Sequence, residues 1–227
     1  MIFKILTGIL ISLVIILVFV SPPPQAQLGE ISRIFYFHVP VAWVCVLAFF
    51  VSMVNSIGYL KNRTYIYDLR AVSAARLGFL FSVLALISGS VFARYAWGTF
   101  WNWDPRETSI LIVLLIYGAY FALRSAVDIE ERKATLSAVY SILAFATVPF
   151  LVFIVPWVFP SLHPADSIVD SRLRFQIPFS YLVIFLFSLL GFSLLFFWIH
   201  RMEIAILRLL REREELADRS EDMSLHS

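Results

Sequence analysis

Six apolar runs divide the chain, at residues 2–20, 41–60, 77–96, 109–123, 136–159 and 178–199. About 20 apolar helical residues are needed to cross a hydrocarbon core of about 30 Å, and inside lipid a backbone must satisfy its own hydrogen bonds. The runs therefore read as six transmembrane helices in one all-α membrane domain, a six-helix bundle over residues 1–200, the fourth helix being the shortest. Composition agrees: 60% of the 227 residues are hydrophobic, 22 are phenylalanine and only 15% are charged. A soluble domain of this size cannot bury so much apolar surface. The first run has Lys4 as a basic flank and a proline-rich break at 21–26, as a cleaved signal peptide would. Its length favours an uncleaved anchor instead.

Basic residues are retained on the cytoplasmic side of a membrane, so their placement orients the spans. Of 18 Lys and Arg, thirteen fall on one side: Lys4, Lys61, Arg63, Arg70, Arg76, Arg124, Arg132, Lys133, Arg201, Arg208, Arg211, Arg213 and Arg219. Only Arg33, Arg94, Arg106, Arg172 and Arg174 fall on the other. Both termini are thus expected in the cytoplasm, with loops 21–40, 97–108 and 160–177 on the outer face. The net charge of +2 hides this asymmetry and gives no reason to expect a nucleic-acid partner.

The second outer loop is the least ordinary part of the sequence. Trp97-Gly98-Thr99-Phe100-Trp101-Asn102-Trp103-Asp104-Pro105-Arg106-Glu107-Thr108 holds three of the six tryptophans. Indoles beside a guanidinium form a flat, amphipathic platform for a large, planar, anionic ligand at a lipid–water boundary. A porphyrin with its two propionates has that shape and charge. Gly98 is expected to let a flat ligand or another backbone approach closely. Asp104-Pro105-Arg106-Glu107 reads as an N-cap, a proline at the first helical position and a capping-box glutamate, which would hold Trp101, Trp103 and Arg106 in fixed orientation. Any of Arg33, Arg94, Arg106, Arg172 and Arg174 suits a propionate. Trp43, Trp157 and Trp198, each near a helix end, read as interfacial anchors.

Of four histidines, His38 and His163 fall in the first and third outer loops, on either side of the tryptophan loop in sequence. Each alone has a plain reading, His38 as a polar residue in the first turn of the second helix and His163 as a loop residue. Together, on one face with an aromatic platform, they can ligate an iron from opposite sides of a macrocycle. His200 falls at the opposite boundary and His226 in the tail.

These residues carry a resemblance. Residues 97–108 resemble the tryptophan-rich WWD signature, roughly WGxxWxWDxRxT, of haem-handling proteins in cytochrome c biogenesis. With the six spans, Ile34-Phe35-Tyr36-Phe37-His38-Val39-Pro40-Val41-Ala42-Trp43 and Ser161-Leu162-His163-Pro164, the chain is similar over nearly its whole length to the cytochrome c maturation protein C (CcmC) family of haem exporters. The charged tail after about Arg201 stands outside the similarity. The resemblance implies a b-type haem held transiently at the outer face, with His38 and His163 as axial ligands. Trp97, Gly98, Trp101, Trp103, Asp104 and Arg106 would bind the cofactor's ring and edge. It implies delivery to the periplasmic haem chaperone CcmE, alongside the ABC transporter pair CcmA and CcmB and the small membrane protein CcmD. One departure points elsewhere: Asp104-Pro105-Arg106-Glu107-Thr108 is closer to the larger CcsA-type cytochrome c synthetases than to the Arg-Leu-Thr ending common in CcmC.

Other function classes fit less well. A cytochrome b-type electron-transfer protein usually carries its histidines within spans, and a permease often marks its route with intramembrane charge. No nucleotide-binding, zinc or hydrolase motif is present, so an enzyme is not expected. Cys45, alone and inside a span, suits a buried apolar role. Pro149 and Pro156 are expected to kink or end the fifth helix. Residues 201–227 form a charged cytoplasmic helix or tail, with Ile204, Leu207 and Leu210 at helical spacing.

Overall fold

A computed structural model describes residues 2–24, 28–163 and 178–225. Arg172, Arg174 and His226 lie outside the described residues. The six apolar runs are six helices long and apolar enough to cross a membrane. They are α1 (Ile2–Val20), α2 (Phe35–Asn62), α3 (Tyr65–Trp97), α4 (Pro105–Ala126), α5 (Glu130–Pro149, continued by a π-helical turn Phe150–Ile154 and the short α6, Val155–Val158) and α7 (Phe179–Leu225).

Several helices outrun the apolar stretches that announce them. α3 has 33 residues and α7 has 47, which at 1.5 Å per residue makes them about 50 and about 70 Å long. Apolar patterning marks where lipid must be faced. A helix continues past that wherever its polar groups find water or partners. Residues 201–225 accordingly continue α7 without a break.

Half of the loop expected at 21–40 is also helical. A 3₁₀ turn, Gly29–Ile34, runs straight into α2, so His38 sits in the first turn of a helix and Pro40 lies inside it. Proline has no N–H to give the Tyr36 carbonyl one turn earlier. The Ser188 hydroxyl of α7 donates to that carbonyl instead, as a side chain must where no water can reach. Arg33, one of the propionate candidates, is committed elsewhere. Its guanidinium donates to the Val18 and Ser21 carbonyls at the end of α1 and pairs with Glu30 at 2.5 Å.

The core lies between α2, α3, α4 and α5. Close approach of α2 to α3 is set by Gly78, where a Cβ would come within 2.5 Å of the Phe49 ring. Phe49 in turn stacks on Tyr117 of α4 at 3.5 Å. Cys45 is fully buried in this cluster. Ser52 enters the core paired: it donates to the Ala71 carbonyl at 2.9 Å and meets Ser141 of α5 at 3.0 Å. α1 stands apart and packs chiefly on α7, with Ile5, Leu6, Ile9 and Phe19 left exposed for lipid.

Candidate functional site

At one end of the bundle the start of α2, the end of α3, the start of α4 and the π turn after α5 leave a cavity of about 400 Å³ between them. That is within the size range of small-molecule and cofactor sites. His38 and His163 both line it, with Arg106 and Glu107 from the first turn of α4 and mostly apolar walls.

Each imidazole has its ring orientation fixed by a partner on Nδ1. The Ser88 hydroxyl of α3 donates to the Leu84 carbonyl at 2.7 Å and so has only an acceptor to offer. His38 Nδ1–H donates to it at 2.9 Å, which places the ring's lone pair on Nε2. His163 Nδ1–H donates to Asp104 Oδ1 at 3.2 Å, with the same consequence for its Nε2. Burial depresses the His163 pKa below the ordinary histidine value and outweighs the opposing Asp104 charge, which favours the neutral, ligand-competent ring. Gly89 makes room for His38: a Cβ there would stand 2.9 Å from the ring's Cε1.

Asp104 is the hub of the site. It caps α4 by accepting from the Arg106 N–H at 2.8 Å, as the sequence predicts. Its other oxygen accepts from the Ser161 hydroxyl at 2.8 Å and the Leu162 N–H at 2.7 Å, tying the segment that carries His163 to a helix end. Burial resists its charge, but the donors from Arg106, Ser161 and Leu162, with His163 nearby, hold its carboxyl below the usual range. Glu107 departs from the expected capping box. Its Oε2 accepts from the Asn102 N–H at 2.8 Å rather than from the cap residue, because the chain turns outward at Trp103 (φ 57°) and brings Asn102 over the helix end.

The cavity also holds unfinished polar business. Among the described residues, the atoms of charged side chains that are buried without a partner are Arg106 Nε and Glu107 Oε1, and both residues line it. An unpaired buried polar atom costs about 1–3 kcal/mol, more when charged. Each such atom calls for an explanation, and a polar group of a ligand in the cavity would supply one. Of the arginines named from sequence, Arg33 is spent on α1, and Arg94 donates to the Gly98 carbonyl beside a separate surface groove. Among the described arginines, Arg106 is the one the structure brings to the histidines.

The tryptophans are placed differently from expectation. Trp43 and Trp157, read as interfacial anchors, line the cavity. Trp97 packs its ring edge-on to His163 at 4.7 Å. Trp101 and Trp103 pack on each other at 5.6 Å outside the cavity wall, Trp103 being 74% exposed. Gly98 has a backbone role of its own. It ends α3 in the left-handed region at φ 87°, and a Cβ there would meet nothing within 4 Å. Spacing along a helix can mark Trp43 as near an end. Phe153 of the π turn meets the Trp43 ring edge-on at 6.2 Å, a contact between distant segments that no local signal carries.

Fold and site together define a six-span, all-α membrane protein with a largely apolar cavity between helix ends and two tautomerically fixed imidazoles facing into it. The family model for heme exporter protein C matches residues 1–219, and the chain belongs to that family. This family comprises membrane haem-handling proteins, not catalytic enzymes. The match decides against the longer synthetases that the Asp104-Pro105-Arg106-Glu107-Thr108 ending resembles. The chain is 35% identical over 178 residues to heme exporter protein C of Bradyrhizobium diazoefficiens, covering 78% of this chain and 67% of the relative. It is 36% identical over 121 residues to that of Rhodobacter capsulatus, 53% of this chain and 50% of the relative. With the Escherichia coli K12 protein it shares 28% identity over 196 residues, 84% of this chain and 76% of the relative.

Proposed function

We propose that the protein binds haem as cargo in the cavity between α2, α3, α4 and the π turn, and passes it on for cytochrome c maturation. The observation that carries this reading is the pair of imidazoles, His38 and His163, lining one cavity with Nδ1 of each already engaged. Two nitrogen ligands leave the remaining positions on iron to a macrocycle. The unpaired Arg106 Nε supplies the charge partner that a propionate needs in a largely apolar wall. Trp43 and Trp157 give flat apolar surface beside it, and the exposed Trp101–Trp103 pair forms a rim over which a planar ligand enters or leaves. Asp104 and Gly98 act through backbone and loop position.

The thirteen-to-five distribution of basic residues supports a periplasmic location for this end of the bundle, in a bacterial inner membrane with both termini cytoplasmic. Residues 1–200 are then the membrane domain and 201–227 a cytoplasmic extension. The receiving partner is a periplasmic haem chaperone of the CcmE kind, and the CcmA–CcmB transporter pair with CcmD forms the surrounding complex.

Purification from haem-replete cells followed by absorption spectroscopy tests the site. Wild type is expected to show a Soret band that His38→Ala and His163→Ala each weaken or shift. A band indifferent to both substitutions refutes the ligand assignment. Labelling single cysteines at Leu162 and Arg213 with a membrane-impermeant thiol reagent tests the topology, and reaction from the same side at both positions refutes it.

A further inference from the structure

We infer that the two imidazoles hold the haem iron unequally, His163 firmly through Asp104 and His38 loosely through Ser88, so that His38 is the bond that opens when haem is handed on. This rests on the reading of the cavity as a bis-histidine haem site and adds to it an order of release.

The difference lies in what each Nδ1–H donates to. Asp104 offers a full negative charge, and a hydrogen bond to a charged acceptor is roughly twice as strong as one between neutral groups. A carboxylate on Nδ1 gives the ring anionic character and raises the basicity of Nε2 toward a metal. Ser88 offers a neutral hydroxyl whose own hydrogen is spent on the Leu84 carbonyl. The Asp104 contact is the longer, 3.2 Å against 2.9 Å, but charge outweighs 0.3 Å of separation here.

Mechanical support differs in the same sense. Asp104 is itself held by the Arg106 N–H, the Ser161 hydroxyl and the Leu162 N–H, and Trp97 backs the His163 ring from the side. His38 is held by neutral groups alone, the Ser88 hydroxyl and the Ala85 backbone, beside the bare backbone of Gly89, so no charged anchor restrains its ring once its iron bond is challenged. Asp104 and Ser88 are thus positioning residues acting through the two histidines.

Carbon monoxide takes one axial position on ferrous haem, and flashing it off leaves a five-coordinate iron with a single histidine. The test uses the full-length, haem-loaded chain and reads the iron–histidine stretching band of that state by resonance Raman. Wild type is expected to match His38→Ala, in which His163 remains, and to differ from His163→Ala. Asp104→Asn in the His38→Ala background should shift the band to lower frequency and weaken haem retention by about 10- to 100-fold. Asparagine still caps a helix, so the fold has reason to survive the change. Ser88→Ala in that background should leave the band unmoved. In the wild-type background Ser88→Ala should speed haem loss, and Ser88→Thr should restore it. A wild-type band matching His163→Ala, or one that ignores Asp104→Asn, overturns the order of release while leaving the haem site standing. If neither histidine substitution alters the absorption spectrum of the loaded protein, the site itself falls and this inference with it.

Discussion

Two serines of α3, Ser73 and Ser88, each accept a histidine Nδ1 at 2.9 Å, and the surroundings of the two pairs are opposite. Fifteen residues of helix, about 22 Å, separate them. At the Ser73 end the histidine's own network is closed. The serine donates to Glu203 at 2.8 Å, Glu203 is paired with Arg76 at 3.1 Å, and His200 lies flat against Phe196 and is 7% exposed. Nearby, Arg124 grips Asp68 with two bonds of 2.7 and 2.9 Å. At the Ser88 end the histidine looks into a cavity beside an unpaired guanidinium nitrogen and an unpaired carboxylate oxygen. The residue types are nearly the same, and what separates this structural network from the proposed binding site is that its charged side chains satisfy one another.

That contrast can be broken by substitution. The largest effect is expected at the closed end. Arg124→Met strands Asp68 as a buried, uncompensated charge and should cost about 3–5 kcal/mol, seen as a lowered thermal midpoint in detergent. Adding Asp68→Leu should recover most of the loss, since a buried ion pair replaced whole by apolar groups is often nearly neutral. The haem spectrum should not change in either variant. At the open end, Arg106→Met removes a guanidinium whose buried Nε has no protein partner, so stability should move by less than about 1 kcal/mol. A charge-assisted hydrogen bond to a ligand is worth about 1.5–3 kcal/mol, so haem affinity should fall roughly 10- to 100-fold, measured by titration. A large stability loss with unchanged haem affinity would make Arg106 a structural residue and erase the distinction between the ends.

Ser73→Ala sharpens the same comparison at intermediate size. It deprives both His200 and Glu203 of a partner and should cost about 1–3 kcal/mol without touching the Soret band. A spectral change would mean that His200 communicates with the haem site.

What the sequence discloses about these two ends follows from how local each signal is. Six spans are legible because lipid demands about 20 apolar residues in a row. The Asp104 cap is legible because it needs only the next three residues. His38 and His163 draw attention as a pair because both fall beside the same tryptophan loop once the spans alternate across the membrane. The Ser88 and Ser73 partners are invisible, since a serine in an apolar helix usually bonds its own preceding turn, as Ser82 does with the Gly78 carbonyl. Trp43 and Trp157 read as anchors for a related reason. Trp157 does sit at a helix end, but Trp43 lies two turns inside α2 because the helix begins at Phe35, and the π turn Phe150–Ile154 that brings Phe153 to its ring is announced by no periodicity. π turns are frequent at functional sites because they redirect side chains without ending the helix.

The smallest expected effect on stability comes from Gly89→Ala, and it is the most discriminating. Inside a helix, alanine should gain about 0.5–1 kcal/mol over glycine. Here the new Cβ would stand 2.9 Å from Cε1 of His38, so the ring must give way by several tenths of an ångström. The two contributions oppose each other in the folded protein, and the thermal midpoint should barely move. Haem binding has no such compensation, because Cε1 lies next to the Nε2 that faces the cavity and a displaced ring misdirects its lone pair. A lost or shifted Soret band with an unchanged midpoint is the expected result. Gly78→Ala is the control from the middle of the same helix: its Cβ would lie 2.5 Å from the Phe49 ring, where the stack on Tyr117 blocks retreat. That variant should lose stability first, and haem only as a consequence, so the two glycines of one helix separate room kept for a ligand's partner from room kept for packing.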